Sequence, residues 1–295
     1  MKIKEILEFL TKEGVDYDFR GDENVEIKGF SSLKKYKPQT ITWIRSDEYF
    51  SGEIPAKEMA LVVGGEDLTV PFPNLIQTQD PKRIFFRILD QFFPRTELVR
   101  EPIGANTYLS PEVSLGKNVT IGRNCVLDGR ITIGDNTQIA NNVTILNEVT
   151  IGKDCYIQTN VIIGQEGLAY SVNADGSFEM VKHYGGVTIG DRVMIGANTE
   201  IDRGTIDDTI IETGTKIDIL CHVAHNVHLG KNVTLIANSL VYGSTEVGEG
   251  SYIASGIIKD NLRLGKNVTV GMGSVVLKDV PDNKTVIGVP GKIRE

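Results

Sequence analysis

The fold is decided by a repeat that begins at residues 113–134, VSLGKNVTIGRNCVLDGRITIG. From Leu115 to Ile163 a large aliphatic residue stands at every sixth position. A second track, two residues earlier, carries smaller or β-branched residues. An α-helix would repeat its apolar residues about every 3.6 positions, and an ordinary strand every second position. The period of six therefore predicts a mainly β protein, a triangular parallel β-helix in which three short strands and three corners close each coil.

The repeat is interrupted twice, at residues 165–186 and 202–210. It resumes at Ile189 after the first interruption and at Ile211 after the second, and it slips by one residue at Ile258. Extra residues in a solenoid must loop outward, and insertions on one side often frame a binding site. We expect these two insertions to do so. The alternative is that they are only solvated loops.

Gly and Asn recur at the positions predicted for the corners, where a positive φ costs these residues little. The sequence Asn-Val-Thr, a formal glycosylation signal, occurs at Asn118, Asn142, Asn232 and Asn267. Its regular placement within the repeat indicates corner residues rather than glycan acceptors.

Charge and composition argue against several classes of function. The 295 residues include 31 Lys and Arg against 39 Asp and Glu, a net charge of −8, which argues against a broad nucleic-acid-binding surface. No apolar run reaches the roughly 18–20 residues of a membrane span, and the charged N-terminus does not resemble a signal peptide. Three cysteines are too few and too spread for a disulfide framework or a zinc knuckle. We expect a cytoplasmic protein that has no transmembrane segment and binds no nucleic acid.

The first hundred residues differ in composition from the rest. They hold the only Trp and most of the Phe, whereas Gly, Asn, Val and Ile concentrate after them. We expect a small α/β domain at residues 1–100 and the β-helix at 101–295, joined by a charged linker at 95–101. Within the first domain, apolar spacing predicts helices at 2–14 and 81–93 and strands at 25–30, 40–44 and 59–63.

Four segments carry a resemblance to a known family: Ile201-Asp202-Arg203-Gly204, Asp207-Asp208-Thr209, Lys216-Ile217-Asp218 and His222-Val223-Ala224-His225-Asn226-Val227. They resemble the UDP-3-O-acylglucosamine N-acyltransferases, a family of hexapeptide-repeat acyltransferases. The resemblance implies a left-handed parallel β-helix and a homotrimer with active sites in the clefts between subunits. It also implies a lipid A pathway enzyme with no bound cofactor. Such an enzyme moves a 3-hydroxyacyl group from the phosphopantetheine thioester of acyl carrier protein to the 2-amine of UDP-3-O-acylglucosamine.

The resemblance implies catalytic roles for three residues. His225 would be the general base, and Gly243 would donate its N–H to the thioester oxygen. The spacing agrees, because Gly243 lies 18 residues after His225 and so stacks on it one coil later. The alternative for His225 is a corner histidine that local hydrogen bonds satisfy. Asp218 matches an acidic residue of the family and would orient His225 across subunits, with a solvated corner Asp as the alternative.

Three of the four histidines, His222, His225 and His228, fall within seven residues, which raises the question of a metal site. The hexapeptide carbonic anhydrases bind zinc on a similar solenoid but space their ligands differently, so we predict no metal. The spacing places His222 and His228 at equivalent corners of adjacent faces, pointing away from one another. His222 is assigned to substrate binding.

Two aromatic residues of the first domain, Trp43 and Tyr49, match a family pair that sandwiches the uracil ring of the substrate. Trp43 replaces the usual Phe, which stacking tolerates because both side chains present an aromatic face. Ser46 replaces an Asn that contacts the base in the family. We expect these three residues to bind the uridine nucleotide. The alternative is that both aromatic residues belong to the core.

Two departures from the family leave the acyl donor open. Asn261 stands where the family has a second His near the donor, and we assign it to substrate binding. Residues 286–295, VIGVPGKIRE, resemble the ending of acetyl-CoA-dependent members, whereas the family continues into helices that help to bind acyl carrier protein. A coenzyme A thioester is therefore an alternative donor. The alternative functions are an acetyl-CoA-dependent N-acetyltransferase acting on another nucleotide-linked amino sugar, and a non-catalytic solenoid that binds a nucleotide sugar.

Overall fold

A computed structural model describes residues 1–94 and 101–294. The chain divides into two compact units, Met1–Leu98 and Val99–Glu295. The predicted linker, residues 95–101, lies outside the described residues except for Glu101. Among the described residues, no helix is both long enough and apolar enough to cross a membrane.

The first unit is a five-stranded sheet with two helices. Its helices are α1 (Ile3–Lys12) and α2 (Pro81–Phe92), and its strands are β1 (Asp18–Arg20), β2 (Gly29–Phe30), β3 (Thr40–Ile44), β4 (Leu61–Gly64) and β5 (Leu75–Gln77). Short 3-10 helices occupy Leu33–Lys35, Asp47–Tyr49 and Ala56–Glu58. The strand order is β1-β5-β4-β3-β2, and only β1 runs antiparallel to its neighbour.

The two predicted helices and the predicted strand at 40–44 are confirmed. In α1, Ile3, Ile6 and Leu10 recur at helical spacing and are buried. The strand predicted at 25–30 is limited to Gly29–Phe30. The sequence analysis also missed β1 and β5, because a strand of three residues is too short to show an apolar period.

The second unit is a three-sided parallel β-helix, as the period of six predicts. Its strands before the first insertion are β6 (Tyr108–Leu109), β7 (Ser114–Leu115), β8 (Thr120–Ile121), β9 (Val126–Asp128), β10 (Ile131–Ile133), β11 (Gln138–Ile139), β12 (Thr144–Leu146), β13 (Val149–Ile151), β14 (Tyr156–Ile157) and β15 (Ile162–Gln165). The strands that follow are β16 (Tyr170–Val172), β17 (Phe178–Met180), β18 (Val187–Ile189), β19 (Met194–Ile195), β20 (Glu200–Asp202), β21 (Thr209–Ile211), β22 (Lys216–Ile217), β23 (His222–Val223), β24 (His228–Leu229), β25 (Thr234–Leu235), β26 (Leu240–Val241), β27 (Glu246–Val247), β28 (Tyr252–Ile253), β29 (Ile257–Ile258), β30 (Arg263–Leu264), β31 (Thr269–Val270), β32 (Val275–Val276), β33 (Thr285–Ile287) and β34 (Lys292–Arg294).

The strands of the solenoid form three stacked sheets. Face 1 contains β7, β10, β13, β18, β21, β24, β27 and β30. Face 2 contains β8, β11, β14, β19, β22, β25, β28, β31 and β33, with β34 added antiparallel to β33. Face 3 contains β6, β9, β12, β15, β20, β23, β26, β29 and β32. Successive strands of one coil therefore lie on different faces, and each residue pairs with its equivalent in the next coil.

The core of the solenoid is the predicted inward track, whose large aliphatic residues are buried from Ile121 through Val276. The three cysteines are free and buried. At the corners, the four Asn of the Asn-Val-Thr sequences have φ between 53° and 57°, in the left-handed region that Asn tolerates. Stacked Asn side chains also form ladders between coils, as from Asn124 Nδ2 to Asn142 Oδ1. These contacts explain why Asn recurs in the repeat.

Both insertions leave the solenoid at the same edge, where face 3 turns into face 1. The first connects β15 to β18 and contains the antiparallel hairpin β16–β17, and the second connects β20 to β21. We call this the 3–1 edge. The turns from β23 to β24 and from β26 to β27, which carry His225 and Gly243, are the next two turns along it. The insertions therefore stand beside the predicted catalytic residues.

Candidate active site

His225 and Gly243 lie next to each other at the 3–1 edge. His225 is half-buried in the turn after β23, and its carbonyl accepts the N–H of Ser244 from the coil above. A Cβ added to Gly243 would lie 2.8 Å from Cε1 and 2.9 Å from Nε2 of His225. The imidazole thus packs directly against the backbone of residue 243, which only a glycine leaves uncovered.

Asn226 fixes the orientation and the tautomer of His225. Its side-chain oxygen, Oδ1, accepts hydrogen bonds from the backbone N–H and the hydroxyl of Thr205, and its Nδ2 donates to the carbonyl of Asp207. His225 Nδ1 lies 3.2 Å from the same Oδ1. Because Oδ1 can only accept, Nδ1 must carry the proton in the neutral imidazole. The other ring nitrogen, Nε2, is then a proton acceptor on the side of Gly243.

The N–H of Gly243 is an available hydrogen-bond donor. At some corners this N–H is taken by an Asp or Asn of the next coil, as when Arg123 N–H donates to Asn141 Oδ1 at 2.8 Å. At Gly243 no acceptor within residues 1–94 and 101–294 takes it. The residues one coil later, Asp260 and Asn261, are hydrogen-bonded to each other instead, at 2.6 Å. The N–H can therefore serve a developing negative charge.

The first insertion adds His183 and Gly167 to the site. His183 is 3% exposed, and its ring meets that of His225 edge to face with centroids 5.5 Å apart. Its Nδ1 lies 3.2 Å from the carbonyl of Val181, whereas its buried Nε2 has no hydrogen-bond partner among the described residues. Gly167 passes close to the His225 ring on the Cδ2 side. This loop therefore lies beside the predicted base, and its part in a binding site stays a prediction.

Asp202, Glu200 and His222 form a charged cluster beside His225. His222 Nδ1 lies 3.9 Å from Glu200 Oε2, and His222 Nε2 lies 3.8 Å from Asp202 Oδ2. The pKa of the Asp202 carboxyl is raised to about 6, mainly by burial, with a smaller contribution from the charge of Glu200, while His222 and His225 oppose the rise.

These three residues are also the set that could hold a metal ion, since their ligand atoms lie within 4.8 Å of one another. In this arrangement, however, the two carboxylates face opposite nitrogens of the His222 ring. These contacts, at 3.9 and 3.8 Å, are longer than the roughly 3.3 Å that separates ligand atoms around tetrahedral zinc. The cluster therefore fits a zinc site poorly, and the absence of a metal stays a prediction.

The prediction that His222 and His228 occupy corners is wrong. Both lie in strands, β23 and β24, because the corner position falls three residues later, at His225 in the first case. Their side chains lie on different faces of the solenoid, as expected. His228 Nε2 lies 2.8 Å from Glu212 Oε1, away from the 3–1 edge. Of the two, only His222 is close to the predicted base.

Asp218 does not meet His225 within one chain. It lies at the turn from face 2 to face 3, where its carboxylate accepts the N–H groups of Ile219 and Ala237. These hydrogen bonds hold the corner in place. The role of Asp218 in orienting His225 across subunits stays a prediction. Asn261 does lie at the 3–1 edge, where its N–H donates to the carbonyl of Gly243. It is exposed, and its contact with a substrate also stays a prediction.

The three residues predicted to bind uracil lie together in the first unit. Trp43 is near the end of β3, half-buried against the core, and Tyr49 in the following 3-10 helix is 58% exposed. Asp47 anchors the intervening loop through hydrogen bonds from Thr69 and Val70, and the Thr69 hydroxyl bond lowers the pKa of that carboxyl. Ser46 donates to Glu48. The partly exposed aromatic faces are compatible with stacking on a base.

Comparison with known proteins places these residues in a family. The pattern described as "Bacterial transferase hexapeptide (six repeats)" matches residues 130–165, and "Hexapeptide repeat of succinyl-transferase" matches 112–147 and 186–218. The UDP-3-O-acylglucosamine N-acyltransferase of Albidiferax ferrireducens is 38% identical over 269 residues, 89% of this chain and 81% of the relative. That of Campylobacter lari is 37% identical over 312 aligned positions, 98% of this chain and 93% of the relative. The chain belongs to the UDP-3-O-acylglucosamine N-acyltransferase family.

A solved structure also resembles this family member in fold. LpxA from Acinetobacter baumannii superposes with a TM-score of 0.60 over 66% of this chain and 74% of its own, at 21% sequence identity. At that identity the likeness supports the β-solenoid and carries no statement about substrate.

Three residues of the site were missed as participants by the sequence analysis: Asn226, His183 and Asp202. Asn226 directly follows the predicted base in the sequence, and this adjacency was a usable signal that its side chain hydrogen-bonds the imidazole ring. Asp202 begins the second insertion, where the chain leaves the repeat, and that position was a usable signal. His183 lies in a long loop without a period, so nothing in the sequence indicated that it would return to the edge.

Proposed function

We propose that this family member transfers a 3-hydroxyacyl group from the thioester of acyl carrier protein to the 2-amine of UDP-3-O-acylglucosamine, a step of lipid A synthesis. The observation that carries the proposal is the pair formed by His225 and Gly243: a proton-accepting Nε2 beside an N–H that no described residue accepts. Acyl transfer to an amine needs a base for the amine and a donor for the oxyanion. The names of the relatives support the choice of substrate.

The proposed reaction follows from these groups. The amine nitrogen attacks the thioester carbon, and a C–N bond forms while His225 Nε2 takes one amine proton. The carbonyl oxygen becomes an oxyanion and accepts a hydrogen bond from the Gly243 N–H. The C–S bond then breaks, and the imidazolium returns its proton to the leaving thiolate. Asn226 keeps Nε2 directed at the reacting atoms, because its Oδ1 accepts the proton of Nδ1.

The uridine part of the substrate is proposed to bind to the first unit, with the uracil ring stacked on Trp43 and Tyr49 and Ser46 at its polar edge. In support, the large aromatic side chain of Tyr49 is exposed and not packed into the core. Base–aromatic stacking tolerates the change from Phe to Trp, since both present a π-face.

The assembly is proposed to be a cytoplasmic homotrimer with no resident metal, in which clefts between subunits complete each site. In support, the solenoid exposes the aromatic residues Tyr156 and Tyr252 on face 2. Exposed apolar groups on a regular surface are typical of interfaces. Asp218, His222 and Asn261 are then available to a neighbouring subunit or to the substrate.

A donor competition tests the proposal. The purified protein receives UDP-3-O-acylglucosamine together with 3-hydroxyacyl–acyl carrier protein and acetyl-CoA, and the product mass is read directly. We expect the long hydroxyacyl adduct. An acetyl adduct would contradict the donor assignment, and no adduct with either donor would contradict the proposed reaction. UDP-N-acetylglucosamine, whose 2-nitrogen is already acylated, is the control acceptor and should give no product.

A further inference from the structure

Asp202 is a buried residue whose carboxylate accepts no hydrogen bond from residues 1–94 and 101–294. It ends β20 and is 4% exposed. It lies within ion-pair range of His222, but the Nε2 atom of His222, at 3.8 Å, is too far to donate a hydrogen bond. Burial of a carboxylate without hydrogen bonds costs stability, and such groups concentrate at functional sites.

This carboxylate lies beside the proposed base. A Cβ on residue 167 would lie 2.8 Å from Asp202 Oδ2 and 3.2 Å from His225 Cδ2, so the two side chains are neighbours across the backbone of Gly167. The buried Nε2 of His183, also without a partner among the described residues, is on a ring that packs against His225. A fully buried imidazole nitrogen and a carboxylate, neither of them hydrogen-bonded to a described residue, therefore flank the proposed base, which indicates that a polar ligand atom completes them.

An amine and a hydroxyl differ in the number of hydrogen bonds they can donate. A neutral amine has two N–H groups and one lone pair. One N–H can donate to His225 Nε2 and the other to Asp202, while the lone pair attacks the thioester. A hydroxyl has a single O–H. Once this O–H has donated its hydrogen bond to His225, the hydroxyl oxygen presents only lone pairs to the Asp202 carboxylate. The lone pairs and the negative carboxylate repel each other. A site built to bind an N–H rejects a ligand that lacks it.

We infer that Asp202 is the specificity residue that makes this site select an amine acceptor over a hydroxyl acceptor. The inference rests on the proposed function, because it concerns how the same site recognises the 2-amine. Glu200 contributes a second negative charge, 3.9 Å from the other nitrogen of His222. That charge favours an acceptor that arrives as an ammonium ion.

Calorimetric titration of two ligands, without an acyl donor, tests the inference. The ligands are UDP-3-O-acylglucosamine and its 2-hydroxy analogue, UDP-3-O-acylglucose. We expect the wild-type protein to bind the amine more tightly. In Asp202→Asn, the preference, expressed as the ratio of the two Kd values, should fall at least tenfold, because the Asn amide can donate to the hydroxyl oxygen. A smaller fall overturns the inference.

Two further variants make the result decisive. Asp154→Asn also removes one negative charge, but from an exposed corner ladder where Asp154 accepts from Asn136, and it should keep the wild-type ratio. Gly167→Ala keeps every charge and places a methyl group 2.8 Å from Asp202 Oδ2, so it should lower the ratio as well. If Asp202→Asn does not fold, Gly167→Ala decides, and an unchanged ratio there overturns the inference.

The proposed function is tested separately by wild-type turnover. If the wild-type protein neither binds nor acylates UDP-3-O-acylglucosamine, the proposed function fails and the inference fails with it. If the wild-type protein acylates the amine while Asp202→Asn and Gly167→Ala both retain the full preference, only the inference is overturned.

Discussion

The imidazole of His225 lies against the backbone of Gly243 one coil above it, at a distance that leaves no room for a Cβ on residue 243. Stacking in a β-helix creates this contact, because residues 18 positions apart in the sequence become neighbours at one corner. The fold therefore brings the proposed base and the proposed oxyanion donor together without any long-range loop. No described residue accepts the N–H of Gly243, and Asp260 and Asn261, one coil later, are hydrogen-bonded to each other.

Gly243→Ala should lower kcat by roughly 10²–10³-fold, within the range that a general base contributes, because the backbone N–H is kept but the imidazole is displaced. The added methyl group would lie 2.8 Å from His225 Cε1 and force the imidazole away from the N–H. The fold should persist, since residue 243 does not have a positive φ. Gly29→Ala is the control, because its Cβ would meet nothing closer than 3.7 Å. Steady-state kinetics that leave Gly243→Ala within threefold of wild type would contradict this role for Gly243.

Asn226→Gly should remove the hydrogen bond that fixes the tautomer of His225, while the glycine keeps the positive φ of 60° at this corner. We expect kcat to fall about 10- to 100-fold, a part of the total that a general base contributes, with KM for the sugar nucleotide nearly unchanged. Nitrogen NMR of the imidazole distinguishes positioning from simple destabilisation. The wild-type ring should carry its proton on Nδ1, and the variant should show a mixture. A wild-type ring protonated on Nε2 would refute the assignment.

Tyr49→Ala should raise KM for the uridine nucleotide by the equivalent of roughly 1–3 kcal/mol of stacking. The melting temperature should not change, because Tyr49 is 58% exposed. Tyr49→Phe retains the aromatic face and serves as the control, with KM close to wild type. Trp43 is less suitable for this test, since it also packs against the core of the first unit. An unchanged KM in Tyr49→Ala would remove this residue from the nucleotide site.

Asp202→Asn should raise the melting temperature above pH 6. The folded-state pKa of Asp202 is raised to about 6 from an ordinary value of 3.8, mainly by burial. Between these two values the folded chain binds more protons than the unfolded chain, so the stability that this group contributes is lost as pH rises through 6. The charges of Glu200, His222 and His225 also act on this carboxyl.

Calorimetric scans of wild type and Asp202→Asn from pH 4 to pH 8 check this prediction. The gain in the variant should be near zero at pH 4 and should grow until it levels off above pH 6. A variant that melts below wild type at pH 7.5 would show that the carboxylate stabilises the fold, which is the opposite of the expected result.

The solenoid was predictable because its core is one-dimensional. Each inward aliphatic residue, such as Ile145 or Ile217, contacts its equivalents in the coils before and after it, so the period in the sequence is the period in space. The stacking of His225 and Gly243 was predictable for the same reason, because the two residues are 18 positions apart, the length of one coil. In the first unit, by contrast, β1 and β5 are set by pairing between distant segments, and a three-residue strand carries no readable period.

The surroundings of His225 were not predictable in the same way. His183 returns to the 3–1 edge through a loop whose path depends on packing, such as the hydrogen bond from Arg203 Nε to the Gly185 carbonyl. Gly167, which belongs to the same loop, lies against the carboxylate of Asp202. Neither position is encoded by a repeat, so the charge beside the base became apparent only in the three-dimensional arrangement.

The most direct test of the central claim compares two histidines of the same stretch, His225 and His228. Single-turnover transfer from 3-hydroxyacyl–acyl carrier protein to UDP-3-O-acylglucosamine is measured for His225→Ala and His228→Ala, with the product identified by mass. His228 faces Glu212 on another side of the solenoid, so its loss should leave the rate within about threefold of wild type. Loss of His225 should lower the rate by roughly 10²–10⁴-fold with the melting temperature unchanged. A His225→Ala rate within tenfold of wild type would contradict its role as the base.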